Sequence, residues 1–453
     1  MDLGGQKVLT IGLGRSGVAA ARLCLDKGAR VIATDAAPRE RLSKEALALE
    51  AAGATLAAGG HPDALFDGID LVVISPGVPS FPALEAFERA GGEVIGELEL
   101  AARFFVGTPI ALIGGTNGKS TTTALVHAML ESAGKKAFIG GNFGTPLAEV
   151  VGQPFDVIVL EISSFQAERV PTLHARAHAL LNITDDHLDR YPGFQAYADA
   201  KGNPFVRMTA EDTAVIPYGD PICAKQAARG GARVVTFSAT EEAATVRPVG
   251  GNIAHRDAWH SFPLDALQIA GRHNIENACA ALGVVAAFDV PFDDSADSWL
   301  TRAVRNFRGL GHRTVLVGEI DGVRYYDDSK GTNVGASVAA LRGLTEDKAV
   351  LIAGGKDKLG AYEPLVDALR HKGRALVLIG EAADRIAAAA KGVLPIERAG
   401  SMAEAVQIAR RLAEPGDAVL LSPACSSFDM FRDYKDRGDQ FAQAVQSMLE
   451  VRS

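Results

Sequence analysis

The chain lacks the features that mark secreted, membrane-spanning or disulfide-rich proteins. Its 453 residues include only four cysteines, which are scattered and show neither metal-type pairing nor a disulfide framework. No apolar run is long enough to cross a bilayer, and the first residues lack the charged-then-apolar pattern of a secretory signal. We therefore expect reduced thiols in a cytoplasmic protein that does not insert into a membrane.

Positive charge and aromatic residues are also scarce. Lysine and arginine together number 46 against 55 acidic residues, which gives a formal net charge of −9. This balance argues against nucleic acid or an anionic membrane as the main partner, so an anionic substrate would be held by local lysines and arginines. Only 6% of the residues are aromatic, whereas 47% are hydrophobic and 48 are glycines. Composition and length together predict an α/β protein of about three domains.

The clearest motif is a glycine-rich loop at residues 114–121, Gly-Gly-Thr-Asn-Gly-Lys-Ser-Thr. It follows a short apolar run and precedes a segment with helical apolar spacing, residues 122–131, which is the context of a phosphate-binding loop. The glycines let backbone N–H groups converge on an anion at a helix N-terminus. Lys119 can reach the β- and γ-phosphates, and Ser120 or Thr121 can bind Mg²⁺. The loop is one residue shorter than the standard spacing, and it predicts a bound nucleoside triphosphate.

A second glycine motif lies near the N-terminus. Residues 12–17, Gly-Leu-Gly-Arg-Ser-Gly, follow a predicted strand, and Asp35 comes about 20 residues later, as in a dinucleotide-binding fingerprint. Taken alone the motif indicates an NAD-linked oxidoreductase. It can equally bind the diphosphate of a nucleotide-sugar, or serve only tight strand–helix packing. The turn at residues 75–79 could line the same crevice.

Polar residues follow several predicted strands of the central part of the chain. Glu161 ends the apolar run 156–160, and a carboxylate at a buried strand tip beside a phosphate loop is well placed to bind Mg²⁺. A cluster after the next strand suggests a second divalent site, although a histidine there could also be a plain loop residue. The members of that cluster are Asp185, Asp186, His187 and Asp189.

Further polar positions are open to two interpretations each. Asn274 and Asn277 share one face of a predicted helix, where they could cap the helix or contact a nucleotide. Cys425 follows the last predicted strand, and a structural thiol is the better interpretation because no histidine is near it in sequence. Three strand-tip loops of the last third should face one crevice, namely residues 327–333, 354–358 and 422–429.

Taken together, these motifs resemble the Mur ligases in content and in order, and the resemblance covers essentially the whole chain. The stretches that carry it are residues 114–121, 140–142, 160–166, 182–189, 273–278, 311–313, 328–330 and 421–424. The resemblance implies an α/β fold of three domains: a Rossmann-like UDP-substrate domain at 1–105, a central P-loop ATP-binding domain at 106–311, and a Rossmann-like amino-acid domain at 312–453. It also implies a monomer.

The activity that the resemblance implies is ATP-dependent amide bond formation with Mg²⁺, through an acyl phosphate, in peptidoglycan precursor synthesis. The implied substrates are UDP-N-acetylmuramoyl-L-alanine and D-glutamate. The alternatives are another Mur-type amino-acid ligase, a folylpolyglutamate synthase, an NAD-dependent oxidoreductase, or a nucleotide-gated binding module without ligase chemistry. The oxidoreductase would leave the phosphate loop and Glu161 without a role.

The resemblance also implies a role for individual residues. The UDP-substrate would contact Gly14, Arg15, Ser16, Asp35, Ser75, Gly77, Asn142 and Ser163. ATP would contact Gly115, Thr116, Asn117, Gly118, Lys119, Ser120, Thr121, Asn277, Arg313 and Asp328. D-glutamate would contact Thr332, Lys358, Ser427 and Phe428. The catalytic residues would be Lys119, His187, Lys201 and Lys330. The metal ligands would be Ser120, Glu161, His187 and, if carbamylated, Lys201.

One departure from the family pattern concerns Lys201. It is followed by Gly202-Asn203-Pro204, where the family pattern continues a helix. Because proline cannot continue an α-helix, we expect the helix to end there. The departure weakens the assignment of a carbamylated lysine more than it weakens the phosphate loop.

Overall fold

The computed structural model describes residues 1–187, 190–258, 260–269, 271–291, 293, 295, 297–358 and 361–450. In this part of the chain, strands form three sheets of five, nine and six strands, one in each successive third of the sequence. Helices pack on the sheets, so the predicted α/β fold of three domains is confirmed. Among the described helices, none combines the length and apolar character that spanning a bilayer requires.

The first sheet is entirely parallel, with the order β3-β2-β1-β4-β5. Its strands are β1 Lys7–Ile11, β2 Arg30–Asp35, β3 Thr55–Ala58, β4 Leu71–Ile74 and β5 Glu93–Gly96. Its helices are α1 Arg15–Asp26, α2 Lys44–Ala51, α3 Pro82–Arg89 and α4 Glu97–Ala102. The strand order reverses between β1 and β4, and the glycine fingerprint lies at this switch point. Gly17 is required there, because a Cβ atom would come within 1.7 Å of the Gly12 carbonyl oxygen.

In the middle sheet, the strand that precedes the phosphate loop is an interior strand, third from one edge, in the order β14-β13-β12-β11-β10-β9-β6-β8-β7. Its strands are β6 Ile110–Gly114, β7 Ala137–Gly141, β8 Val157–Glu161, β9 Ala177–Leu180, β10 Thr213–Pro217, β11 Arg233–Phe237, β12 Val246–Val249, β13 Asn252–His255 and β14 Ser261–Pro263. Its helices are α5 Lys119–Ser132, α6 Ser164–Ala167, α7 Phe194–Gly202, α8 Pro221–Ala227, α9 Arg272–Val285 and α10 Trp299–Asn306. Because β8 and β9 flank β6, their carboxyl ends lie beside the phosphate loop.

The third sheet has the order β15-β16-β20-β17-β18-β19, and only β15 runs antiparallel to its neighbour. Its strands are β15 Val315–Ile320, β16 Val323–Asp327, β17 Ala349–Gly354, β18 Gly373–Ile379, β19 Ile396–Arg398 and β20 Ala418–Leu421. Its helices are α11 Val334–Gly343, α12 Glu363–Lys372, α13 Ala383–Ala389, α14 Met402–Leu412 and α15 Tyr434–Glu450. The three strand-tip loops expected to share a crevice follow the adjacent strands β16, β20 and β17.

Two buried glutamates of α4 join the first domain to the middle domain. Glu99 accepts hydrogen bonds from the backbone N–H groups of Thr172 and Leu173, the latter at 2.9 Å. Glu97 accepts one from the N–H of Ala148 at 2.7 Å. Burial raises the pKa of Glu97 to about 7, and the nearby Glu149 contributes to this rise. The junction therefore contains a carboxyl group that changes charge near neutral pH.

Candidate active site between the middle and C-terminal domains

A cavity of about 590 Å³ lies between the middle and C-terminal domains. The phosphate loop, the tips of β8 and β9, and the start of α9 form one side, and the loops after β16 and β17 form the other. Most of the predicted ATP-site residues line it: Thr116, Asn117, Gly118, Lys119, Ser120, Thr121, Asn277, Arg313 and Asp328. Gly115 belongs to the same loop and has a positive φ of 136° that favours glycine.

Polar contacts within the phosphate loop and with Asn182 stabilise the conformation of the loop. The Lys119 Nζ donates to the carbonyl of Thr116 at 2.7 Å. Asn182, after β9, accepts from the N–H of Asn117 at 2.8 Å and donates to its carbonyl at 3.1 Å. Burial lowers the pKa of Lys119, and Arg313 lowers it further. A half-buried lysine beside a second cation at a helix N-terminus favours the binding of an anion.

Oxygen atoms suited to a magnesium ion lie next to the loop. The Ser120 hydroxyl donates to one carboxylate oxygen of Glu161 at 2.6 Å, and Asn142 donates to the other at 2.6 Å. Arg313 of the C-terminal domain donates to the Ser120 hydroxyl at 3.0 Å. A buried hydroxyl and a carboxylate beside a phosphate site match the oxygen ligands that Mg²⁺ prefers. Asn142 is thus bound to Glu161 by a hydrogen bond, and Arg313 contacts the phosphate loop through Ser120.

Lys201 lies directly beneath the phosphate loop. The side chain is buried, its Nζ donates to the carbonyl of Gly115 at 2.6 Å, and it lies 4.6 Å from the ring centre of Tyr197. Burial lowers the pKa of Lys201 well below its ordinary value, and Lys119 lowers it further. The helix α7 ends at Gly202 as predicted, but residues 203–207 continue as a 3₁₀ helix. Proline therefore changes the helix type without removing Lys201 from the site.

The acidic cluster after β9 has a different arrangement from the one predicted. Asp186 accepts from Lys358 at 3.2 Å and from Asn333 at 3.3 Å, both in the C-terminal domain. The His187 Nε2 lies 3.7 Å from Asp186, and its ring packs against Phe165. Asp189 lies outside the described residues. Among the described residues, no group of three His, Cys, Asp or Glu side chains is placed to hold a metal ion.

The start of α9 faces the cavity. Neither asparagine is the helix cap, because the helix begins at Arg272 after Gly271. Asn277 is buried and donates to the Asn274 side chain at 3.1 Å. It also lies so close to the phosphate loop that a Cβ atom on Gly118 would come within 2.3 Å of its Oδ1. Asn277 therefore lies against the phosphate loop, and the cap interpretation is wrong.

Sequence reasoning assigned no role to several other residues that line this cavity. They are Pro217, Tyr218, Phe237, Ser238, Arg272, His273 and Glu276. Two of the strand tips involved, those of β10 and β11, follow short runs without a recognisable motif. Their position could have been found only from the strand order, which places both tips beyond β9.

The C-terminal domain contributes two residues with altered acidity. Asp328 is buried and accepts from the Ser422 hydroxyl at 2.6 Å and from the N–H of Thr314 at 3.2 Å, and burial raises its pKa to about 7. The Lys330 Nζ lies 3.8 Å from the ring centre of Tyr434. Burial lowers the pKa of Lys330 to about 8, with a further contribution from Arg313.

Only part of the predicted amino-acid site reaches the cavity. Lys358 and Thr332 line it. Ser427 is buried, and its carbonyl accepts from the backbone of Met430 and Phe431. Phe428 is 69% exposed, and neither Ser427 nor Phe428 is among the lining residues. The structure therefore does not bring these two residues to the cavity.

Sequence reasoning also missed Arg437, a fully buried arginine of α15. Its guanidinium donates to the hydroxyl and carbonyl of Ser329 at 3.0 and 2.8 Å and to the carbonyl of Cys425 at 3.2 Å. It thereby joins the loop after β16 to the loop after β20.

Burial raises the pKa of Cys425 to about 11, and its sulfur contacts the Tyr362 hydroxyl at 3.3 Å, which fits a structural thiol.

The predicted UDP-substrate residues lie around the switch point of the first sheet. Asp35 accepts from the N–H groups of Leu13 and Ala37, and Ser75 donates to the carbonyl of Gly12. Gly14 precedes α1, Ser16 lies in its first turn, and Gly77 lies in the turn after β4. In a separate contact, Arg15 donates to the carbonyl of Gly144 at 2.8 Å, and Ser163 caps α6. Several of these residues thus stabilise the loops of the crevice or join it to the middle domain.

Three family models match the chain, one in each domain. They are the Mur ligase MurD-like N-terminal domain at residues 6–96, the Mur ligase middle domain at 113–285, and the Mur ligase glutamate ligase domain at 312–425. Together they match more than half of the chain.

Curated relatives match over nearly the whole length. A UDP-N-acetylmuramoylalanine--D-glutamate ligase of Syntrophotalea carbinolica is 45% identical over 452 residues, which are 99% of each chain. The protein of that name from Geobacter metallireducens is 43% identical, also over 99% of each chain. That from Myxococcus xanthus is 41% identical, over 99% of this chain and 100% of its own.

Solved structures share the fold at low identity. A pseudomurein peptide ligase type C from Methanothermus fervidus has a TM-score of 0.63 and 17% identity, over 98% of this chain and 100% of its own. The MurF ligase from Thermotoga maritima in complex with ADP has a TM-score of 0.62 and 16% identity, over 99% and 96%. These likenesses concern the three-domain fold.

Proposed function

The chain belongs to the Mur ligase family, and we propose that it joins D-glutamate to UDP-N-acetylmuramoyl-L-alanine by an ATP-dependent amide bond, in peptidoglycan precursor synthesis. The observation that carries the proposal is the convergence on one cavity of the phosphate loop, of Glu161 and of the loops that bear Lys330 and Lys358. A single cavity of this kind can bring a triphosphate, an acid and an amine together.

The chemistry requires activation of a carboxylate, which is a poor electrophile in water. A carboxylate oxygen of the UDP-substrate attacks the γ-phosphorus of ATP, and ADP leaves, which gives an acyl phosphate. The protein contributes alignment and positive charge at the transferring oxygens. Lys119 and Arg313 are the cations placed to do this. Bound Mg²⁺, held by Ser120 and Glu161, would neutralise phosphate charge there.

The second half of the reaction is attack by the amine. The nitrogen of D-glutamate attacks the acyl carbon, inorganic phosphate leaves, and the ammonium proton goes to a base. Lys330 borders the same cavity and can donate a hydrogen bond to the oxyanion that develops. Lys358 and Thr332 would hold the carboxylates of the amino acid. His187 would contact the reacting groups from the middle domain.

The remaining assignments complete the proposal. The UDP group would lie at the switch point of the first sheet, beside Arg15 and Asp35. Lys201, enclosed beneath the phosphate loop, would react through its unprotonated amine with carbon dioxide and lose a proton to form a carbamate. We further propose that the protein is a cytoplasmic monomer that requires Mg²⁺.

The direct test is phosphate release from ATP in the presence of UDP-N-acetylmuramoyl-L-alanine and a panel of amino acids. We expect release with D-glutamate and none when either the UDP-substrate or the amino acid is omitted. A response to L-alanine or diaminopimelate in place of D-glutamate would overturn the substrate assignment. Release that needs no amino acid would favour a nucleotide-gated binding module, and saturable binding of NAD would favour the oxidoreductase.

A further inference from the structure

A small set of polar contacts joins the C-terminal domain to the middle domain at the edge of the cavity. The side-chain nitrogen of Asn333 lies 3.1 Å from the Oδ1 of Asn117, in the phosphate loop, and 3.3 Å from the Oδ2 of Asp186. Lys358 reaches the other oxygen of Asp186 at 3.2 Å. One asparagine thus contacts both the phosphate loop and the carboxylate that holds a proposed substrate-binding lysine.

The orientation of Asn333 is fixed by a second role. It is the N-cap of α11, and its side-chain oxygen accepts from the N–H of Ala336 at 2.8 Å. Because the oxygen is bound to its own helix, the amide NH₂ group points outward from the C-terminal domain. The middle-domain partner is equally constrained, since Asn182 binds both backbone groups of Asn117. Two rigid elements therefore meet through one amide group.

We propose that Asn333 is a positioning residue, which holds the C-terminal domain against the phosphate loop and Asp186 so that Lys358 is in place for the amino-acid substrate. The inference rests on the proposed function for its kinetic consequences only. Asn333 acts through the position of the domain, and its contact with substrate is not required. The contact between Lys358 and Asp186 also joins the C-terminal domain to the middle domain, so it stabilises the same arrangement of the two domains.

The expected effect on substrate affinity depends on the fraction of molecules in which the C-terminal domain is held against the phosphate loop. A ligand that binds only one arrangement has an apparent affinity reduced by the fraction of protein in that arrangement. ATP and the amino acid would both contact residues of the C-terminal domain, whereas most of the predicted UDP-substrate residues lie around the switch point of the first sheet. Loss of the Asn333 contact should therefore weaken ATP and the amino acid but leave the UDP-substrate unaffected.

The test compares variants that keep the helix cap and lose the donor. Asn333→Asp retains an oxygen for Ala336 and places a carboxylate against Asp186, and Asn333→Ser caps with a side chain too short to reach Asn117. The matched control is Ser401→Asp. It places the same negative charge at the N-cap of α14, whose cap oxygen accepts from Glu404.

We expect Asn333→Asp to raise the KM for D-glutamate and for ATP about tenfold or more, in line with the loss of hydrogen bonds to a charged group. The KM for the UDP-substrate, the kcat at saturation and the melting temperature should stay unchanged. Solution scattering without substrates should show a larger radius of gyration than in the wild type. Asn333→Ser should give the same pattern with a smaller shift, and Ser401→Asp should match the wild type.

Two results would overturn the inference. One is unchanged KM values and scattering in Asn333→Asp, which would leave the residue as a helix cap alone. The other is a fall in melting temperature and kcat in Asn333→Ser without a change in KM, which would show a structural role. Scattering and the binding of ADP need no turnover, so they test the contact even if the wild type fails to release phosphate and the proposed function is wrong.

Discussion

Lys201 donates a hydrogen bond of 2.6 Å to the carbonyl oxygen of Gly115, so a buried lysine supports the phosphate loop from below. Burial, followed by the charge of Lys119, lowers its pKa and so increases the fraction of neutral amine. Only a neutral amine reacts with carbon dioxide. The geometry therefore suits the carbamate that the family resemblance implies, in spite of the proline that follows.

Lys201→Met should lower kcat about 100-fold or more, because it removes both the contact with the loop and the group that is carbamylated. Labelled bicarbonate should give a carbamate signal in the NMR spectrum of the wild type that is absent from this variant. If the two spectra are identical, Lys201 is a structural lysine only. An exposed lysine of the same domain, Lys225, provides the control as Lys225→Met.

Lys119→Ala should keep the fold and lose turnover, by about 1000-fold in kcat. The reason is that the lysine acts on charge that develops on the transferring phosphoryl group, while α5 and its packing remain. Circular dichroism and the melting temperature check the fold, and phosphate release checks the reaction. A variant that retained wild-type turnover would be incompatible with the proposed role, and Lys225→Ala should behave as the wild type.

The sequence was informative wherever a function requires a fixed local motif. The phosphate loop, Glu161 and the fingerprint at residues 12–17 lie where the patterns predicted, because each pattern encodes a strand, a turn and a helix start together. The same reasoning placed the polar loops after β16, β17 and β20 on one edge of a sheet. The three-domain α/β fold followed from these elements.

Contacts between distant segments could not be predicted in this way. Short strands such as β14 and β19 depend on neighbours far along the chain and carry no pattern of their own. Asp186 was expected near a metal, but its partners Lys358 and Asn333 come from another domain. Phe428 was assigned to the amino acid by motif alone, and the turn at Ser427 directs it into solvent.

Arg437 is the clearest example of a residue without a sequence signal, since an arginine in a helix is usually exposed. Arg437→Met should lower the free energy of unfolding by about 3 kcal/mol or more, because it leaves several buried carbonyl and hydroxyl oxygens without donors. It should also lower kcat, since Ser329 precedes Lys330. Urea unfolding measures the first effect. The control is Arg432→Met, whose side chain is 87% exposed and should cost less than about 0.5 kcal/mol.

Glu97 should make the stability of the junction between the first two domains depend on pH. Its pKa in the folded protein is raised to about 7 from an ordinary value of 4.5, because burial disfavours the carboxylate. A raised pKa contributes stability that is fully present below the unfolded value and is lost as the pH rises through the folded value. The loss should amount to about 2–3 kcal/mol between pH 5 and pH 8.

Glu97→Gln provides the measurement, because the amide keeps an acceptor for the N–H of Ala148 and does not titrate. The difference in unfolding free energy between Glu97→Gln and the wild type should increase in favour of the variant by about 2–3 kcal/mol from pH 5 to pH 8. Glu45→Gln, at an exposed position of α2, should follow the wild-type profile. If Glu97→Gln and the wild type instead show parallel pH profiles, Glu97 stays ionised in the folded protein, and the junction must admit water or a cation to the carboxylate.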